Sequence, residues 1–277
     1  MNIVVSLENV CTCKECSHDY ARDCTACICC KPDNHSMVLD GIEGFAPKGK
    51  EEPVRIPVGS TVLSGDLCMP RGDKQGMVVF VHGSGSSRHS PRNRFVAGLL
   101  QQAGIGTLLF DLLTEEEEKI DELTSHLHFD VLLLVDRLIG VTDWLLMSSD
   151  VHKSNSNNNN LGIGYFGAGA GAAAAIVAAA KKRNVVKAIV SRGGRPDLAG
   201  HYLEQITAPT LLIVGGFDEV VVVFNKEAFD GLKLVKDNEK KLVVVPDATN
   251  LFEEPGKLEQ VAQLAVEWFT SFLDPGI

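Results

Sequence analysis

From Val54 onward the apolar positions follow two rhythms. Short, nearly continuous apolar runs appear at Met77–Val81, Gly106–Leu113, Leu161–Ala168, Val185–Val190, Thr210–Val214 and Lys241–Val245. Runs of that length, rich in Val, Ile and Leu, predict strands buried on both faces. Between them lie stretches that predict helices: Arg92–Gln102, stopped by Gly104, then Phe129–Met147, Ala172–Ala180, Leu198–Gln205, Lys226–Lys233 and Lys257–Leu273. Val54–Pro57 and Thr61–Met69 suit a hairpin around Gly59. Regular alternation of strand and helix predicts an α/β fold, a mostly parallel sheet with helices on both faces. The acid run Glu115–Glu118 reads as a solvated loop or a helix start, and Asn155–Asn160 as a flexible polar surface loop.

Length and charge narrow this picture. A chain of 277 residues, 45% hydrophobic, is long enough for one substantial core with a small appendage. No apolar run suits a membrane span, and the amino terminus lacks the basic-then-apolar order of a signal peptide. The expectation is therefore a soluble, cytoplasmic protein with no membrane partner. A formal charge of −10 argues against a general nucleic-acid binder, because phosphate affinity needs clustered Lys and Arg.

Seven of the eight cysteines lie in one short stretch: Cys11, Cys13, Cys16, Cys24, Cys27, Cys29 and Cys30. Soft thiolates this dense suit Zn²⁺ or Cu(I), and the C-x-C and C-C spacings resemble metallothionein clusters more than a zinc finger. The plainer alternative is a cysteine-rich tail that oxidises readily. The segments expected are a Cys-rich region at 1–43, a linker at 44–53 and an α/β domain at 54–277.

In open α/β sheets functional groups gather at the carboxyl ends of the strands. The chemistry-bearing residues stand there: His82-Gly83-Ser84, Arg192-Gly193-Gly194, Asp218 and Asn250. The strand at 161–168 runs into Gly167-Ala168-Gly169-Ala170-Gly171 and then directly into the Ala-rich helix. That is the frame of a nucleophile elbow, G-x-S-x-G, with Gly169 in the serine position. The same region matches G-x-G-x-x-G at Gly162, Gly164 and Gly167, a dinucleotide fingerprint. Against it, Gly162 and Gly164 fall inside the strand, and no acid ends the next one.

Taken together these blocks resemble the α/β hydrolases, and within them the dienelactone-hydrolase-like group. The resemblance covers Val54 to the carboxyl terminus. It rests on Val81–Asn93, the elbow, Ser191–Leu198, Leu212–Asp218 and Val245–Phe252. It implies a nucleophile–acid–histidine triad and an oxyanion hole of two backbone N–H groups. Asp218 matches the acid, Ser84 beside Gly83 and Ala170 the oxyanion donors, and Gly169 and Asn250 stand at the nucleophile and histidine positions. Glycine has nothing with which to attack a carbonyl, and asparagine does not shuttle protons near neutral pH. The family route to ester hydrolysis is therefore expected to be absent or weak, with a small-molecule pocket retained and no cofactor in this domain.

Other groups stand near by in sequence. His82 reads as a shaper of the oxyanion loop, and His126 and His128 as structural or solvated. Ser84, Ser86 and Ser87 are candidate hydroxyls without a placed histidine. Arg88, Arg192 and Arg195 are read as collecting at a pocket mouth, where they would favour an anionic ligand, or as ordinary surface arginines. Three functions remain open: a disarmed hydrolase relative, an active hydrolase using another nucleophile or an activated water, and a metal-binding protein working through its cysteines.

Overall fold

The computed structural model describes residues 49–70, 76–83, 85–124, 126–148 and 161–273. The seven clustered cysteines, Ser84 and the polar loop at 155–160 lie outside the described residues. Along the chain the strands are β1 (Glu52–Val58), β2 (Thr61–Cys68), β3 (Gly76–Val81), β4 (Gly106–Phe110), β5 (Gly162–Ala168), β6 (Val186–Arg192), β7 (Thr210–Gly215) and β8 (Lys240–Val245). The α-helices among them are α1 (Pro91–Gln102), α2 (Glu115–Thr124), α3 (Val131–Met147), α4 (Ala170–Lys181), α5 (Glu219–Gly231) and α6 (Lys257–Leu273).

The strands form one sheet in the order β1-β2-β4-β3-β5-β6-β7-β8. β1 and β2 make the expected hairpin, and β2 joins β4 antiparallel; every pairing from β4 to β8 is parallel. All six residues of β3 are buried. Met77, Val79 and Val81 face a cluster that includes α3 and α4, while Val78 and Phe80 face one that includes α1 and α6. Burial on both faces explains why the strand reads as a continuous apolar run rather than an alternation.

Several boundaries differ from the sequence expectation, each for a local reason. The acid run, read as a loop or a helix start, is the first turn of α2. Thr114 and Glu117 close a capping box, with Glu117 N donating to Thr114 Oγ1 at 3.1 Å and Thr114 N donating to Glu117 Oε2 at 2.8 Å. α3 starts at Val131 rather than Phe129, because the Asp130 carboxylate caps the N–H groups of Leu132 and Leu133. α5 starts at Glu219, well before Lys226, so the Val220–Val223 run is helical although β-branched. The segment at Leu198–Gln205 is a 3-10 stretch, Pro196–Gln205, with a break at Gly200. β4 ends at Phe110, short of Leu113, and β1 begins at Glu52. β6 runs on to Arg192, which makes that arginine a strand-end residue.

The glycines of β5 have a packing explanation. A methyl group on Gly162 would lie 2.8 Å from the Leu273 carbonyl oxygen, and one on Gly164 would lie 2.6 Å from the Phe269 ring. α6 crosses the strand too closely for side chains there. The G-x-G-x-x-G spacing is thus accounted for by helix–strand contact, with no cofactor needed to explain it.

Candidate functional site

β5 and α4 meet in a turn of one residue. Gly169, at the N-cap of α4, has φ 54° and ψ −129°, a conformation that L-residues adopt only under strain. Its carbonyl accepts from Ala172 N at 3.3 Å and Arg195 N at 3.0 Å. The flanking glycines are sterically forced: a methyl on Gly167 would lie 2.5 Å from Ala172 Cα, and one on Gly171 would lie 2.5 Å from the His82 carbonyl oxygen. Gly169 differs. A methyl there meets only Gly83 Cα, at 3.4 Å, an ordinary van der Waals contact. The turn therefore has room for a side chain at the position that the elbow pattern assigns to the nucleophile.

Asp218 follows β7 and sits at the N-cap of α5. Its Oδ2 accepts from the backbone N–H of Asn250 at 2.6 Å, and Asn250 Oδ1 accepts from Gly215 N at 3.1 Å. The structure thus brings Asp218 and Asn250 together through the Asn250 backbone N–H. The Asn250 side-chain amide is tied to the end of β7, and Asp218 is engaged by a backbone donor.

The loop after β3 lies over the elbow. A methyl on Gly83 would lie 3.0 Å from the Ala168 carbonyl oxygen, which shows how closely the two backbones approach. His82 holds this loop from below. Its Nε2 accepts from Leu112 N at 3.0 Å, which leaves the proton on Nδ1, 3.0 Å from the Gly83 carbonyl. Burial pushes its pKa below the usual 6.5, against the raising effects of the Gly83 carbonyl and Asp111. His82 is therefore a neutral brace, the loop-shaping role read from sequence. Ala170 opens α4.

Of the two readings open for Arg88, Arg192 and Arg195, a gathering of free cations does not hold for Arg88 and Arg195. Arg88 bonds Asp111 and lies 3.7 Å from Asp66, and Arg195 pairs with Asp197 at 2.7 Å while covering the Phe224 ring. Both charges are spent on neighbouring carboxylates. Arg192 alone of the three lacks one. It is 6% exposed, its Nη2 reaches Asn93 Oδ1 at 3.4 Å, and its Nε has no partner. Burial, and then the charge of Arg92, lower its pKa from 12.5 to about 10, so it stays protonated at neutral pH. That shift corresponds to a cost on the order of 3 kcal/mol for keeping it charged in place.

Sequence reasoning missed one further group. A small cleft beside the loop after β3 is lined by Gly83, Ser86, Glu118 and His128 among others. His128 Nδ1 bonds the buried Asp121 carboxylate. Burial opposes the ionised form of Asp121, but the bonds from His128 and the N–H groups of Leu127 and His128 hold its pKa below the ordinary value. The Glu118 pKa is raised, first by burial and then by Asp121, Asp111 and Glu122. The i,i+7 spacing of Asp121 and His128 across a helix end is the only sequence signal of this pair.

No family model matches this chain. A solved dienelactone hydrolase from Anabaena variabilis is 53% identical, with a TM-score of 0.76, and the match covers 82% of this chain and 99% of that one. The chain belongs to the dienelactone-hydrolase-like family of α/β hydrolases. Two more distant members of this fold also superpose. One is a dienelactone-hydrolase-like promiscuous phosphotriesterase from metagenomic libraries, at 17% identity, TM-score 0.62, covering 81% of this chain and 99% of its own. The other is Est1E from Butyrivibrio proteoclasticus, at 17% identity and TM-score 0.58, covering 79% and 98%. A Mycobacterium tuberculosis protein named, provisionally, a phosphoribosyl transferase is 52% identical over 227 residues, 82% of this chain and 48% of its own length. The chain thus spans about half the length of the curated relatives it matches. Among the described residues no helix of this dienelactone-hydrolase-like chain is long and apolar enough to cross a membrane.

Proposed function

We propose that this chain is a dienelactone-hydrolase-like protein disarmed as an ester hydrolase, which binds a small molecule at the carboxyl ends of its strands. One observation carries the reading. Gly169 occupies a strained elbow that has room for a side chain, while the glycines on either side of it have none. An elbow shaped for a nucleophile and lacking one, beside an Asp218 whose neighbour is Asn250, supports a scaffold whose reacting groups are gone. With both absent, a covalent acyl-enzyme does not form, and oxyanion stabilisation alone is worth on the order of 10³-fold over water in a comparable protease. The transferase name of the curated relatives belongs to proteins of about twice the matched length, and nothing in this site supports carrying it over.

The test is p-nitrophenyl acetate turnover by the unaltered chain beside Gly169→Ser/Asn250→His. The proposal expects turnover near the uncatalysed rate for the former and a clear gain for the latter. Turnover by the unaltered chain contradicts it. The Asp121–His128 pair favours a second reading, hydrolysis by an activated water, because the carboxylate orients the ring as a general base beside the oxyanion loop. Under that reading the unaltered chain turns over ester and His128→Asn abolishes it. Metal binding by Cys11–Cys30 is a separate proposal, tested by zinc titration of the full chain with free thiols as the readout.

A further inference from the structure

Every other arginine around the carboxyl ends of β3 to β6 has a carboxylate partner. Arg88 has Asp111, Arg94 has Glu51 and Asp66, Arg92 has Glu253 at 2.7 Å, and Arg195 has Asp197. Arg192, the most deeply buried of them, has none among the described residues. A guanidinium carries five N–H donors, and this one uses a single long bond to a neutral amide oxygen. Burying an unpaired charge is expensive, and such a group is retained where something else offsets the expense.

The group it faces points the same way. Asn93 and Arg92 lie in the first turn of α1, a helix of 12 residues whose first turn contains no acidic side chain. A helix N-terminus attracts negative charge, and here it carries arginine instead of Asp or Glu. Arg92 Nε is also buried and without a partner. The N-terminal N–H of Asn93 is already capped by Ser90, but the charge of Arg92 is felt at Arg192, and among the described residues Glu253 is the carboxylate paired with either guanidinium. The place is one strand from the elbow: Arg192 pairs in register with Ala168, and the Asn250 backbone packs on Gly193.

We propose that Arg192 and Arg92, at the start of α1, form a subsite for a small oxyanion, a carboxylate or phosphate group carried by a ligand bound at the carboxyl ends of the strands. The inference rests on the reading that those strand ends still bind a ligand, and it names that ligand's charge. Arg192 supplies the inner donors, Arg92 the outer ones, and Asn93 holds the Arg192 fork in place.

The experiment is thermal unfolding of the full chain at constant ionic strength, with sodium phosphate or sodium benzoate replacing chloride. A saturable rise in Tm with either anion supports the subsite, and the better anion identifies the source, phosphate or carboxylate. Arg192→Met should abolish the rise while increasing Tm in chloride by a few degrees, since an uncompensated charge is removed. Arg92→Gln, at a one-third exposed side chain, should fold normally and weaken the response about tenfold or more. Should Arg192→Met not fold, the Arg92→Gln titration and the Arg192 Nε–H resonance of labelled wild-type protein decide the matter. No saturable response in wild type, or equal responses in wild type and both variants, overturns the proposal. A response alongside an unreactive Gly169→Ser/Asn250→His variant leaves the subsite standing and removes the disarmed-hydrolase reading. A reactive double variant with no anion response does the reverse.

Discussion

At Gly167 and Gly171 an added methyl group would sit 2.5 Å from Ala172 Cα and from the His82 carbonyl oxygen, while at Gly169, between them, it would meet only Gly83 Cα at 3.4 Å. The outer glycines are there because backbone passes too close for a Cβ. The middle one is under no such constraint, and what it relieves is backbone strain at φ 54°. Three glycines in five residues look alike in sequence, yet two answer to packing and one to backbone conformation.

The comparison is broken most severely at Gly171. Gly171→Ala drives a Cβ into the carbonyl oxygens of Val81 and His82, which cannot move without disturbing β3. A loss of about 3 kcal/mol or more is expected in urea unfolding, at the limit of folding. Gly164→Ala is expected to cost less, about 1–3 kcal/mol, because its obstacle is the Phe269 ring, a side chain that can shift. Gly169→Ala and Gly169→Ser should each cost about 1–3 kcal/mol or less and by equal amounts, since the strain lies in φ and not in space. A larger cost for serine than for alanine would mean that the site is crowded after all.

The smallest effect concerns pH. His82 is neutral in the fold and takes up a proton more readily in the unfolded chain. Its contribution is therefore intact above its ordinary 6.5 and is lost as pH falls below that value. Tm should decline with acid through this window in wild type, and His82→Gln should flatten that part of the profile while lowering Tm throughout.

How much of this could be read in the chain beforehand depended on the range of the interaction. β3, β5 and β7 were legible because burial on both faces leaves a continuous apolar run, and the elbow because glycine crowding is local. α5 was placed too late because Val220–Val223 has strand-like composition, and only the Asp218 cap position signals a helix there. Asp218 and Asn250 were found through motif position, although their contact, 32 residues apart, was not visible. The pairing of the arginines was illegible for the same reason. Arg88 finds Asp111, 23 residues on, and Arg192 finds only Asn93, 99 residues away, so which cation is left without an acid emerges only from the fold.

In the proposed function Gly169 stands where a nucleophile would be presented. Fluorophosphonate labelling followed by peptide mass spectrometry, run on the wild-type chain and on Gly169→Ser/Asn250→His, tests it most directly. No adduct is expected on the wild type, and a single adduct on the introduced serine. A folded double variant that takes no label, or an adduct at another residue of the wild-type chain, would contradict it.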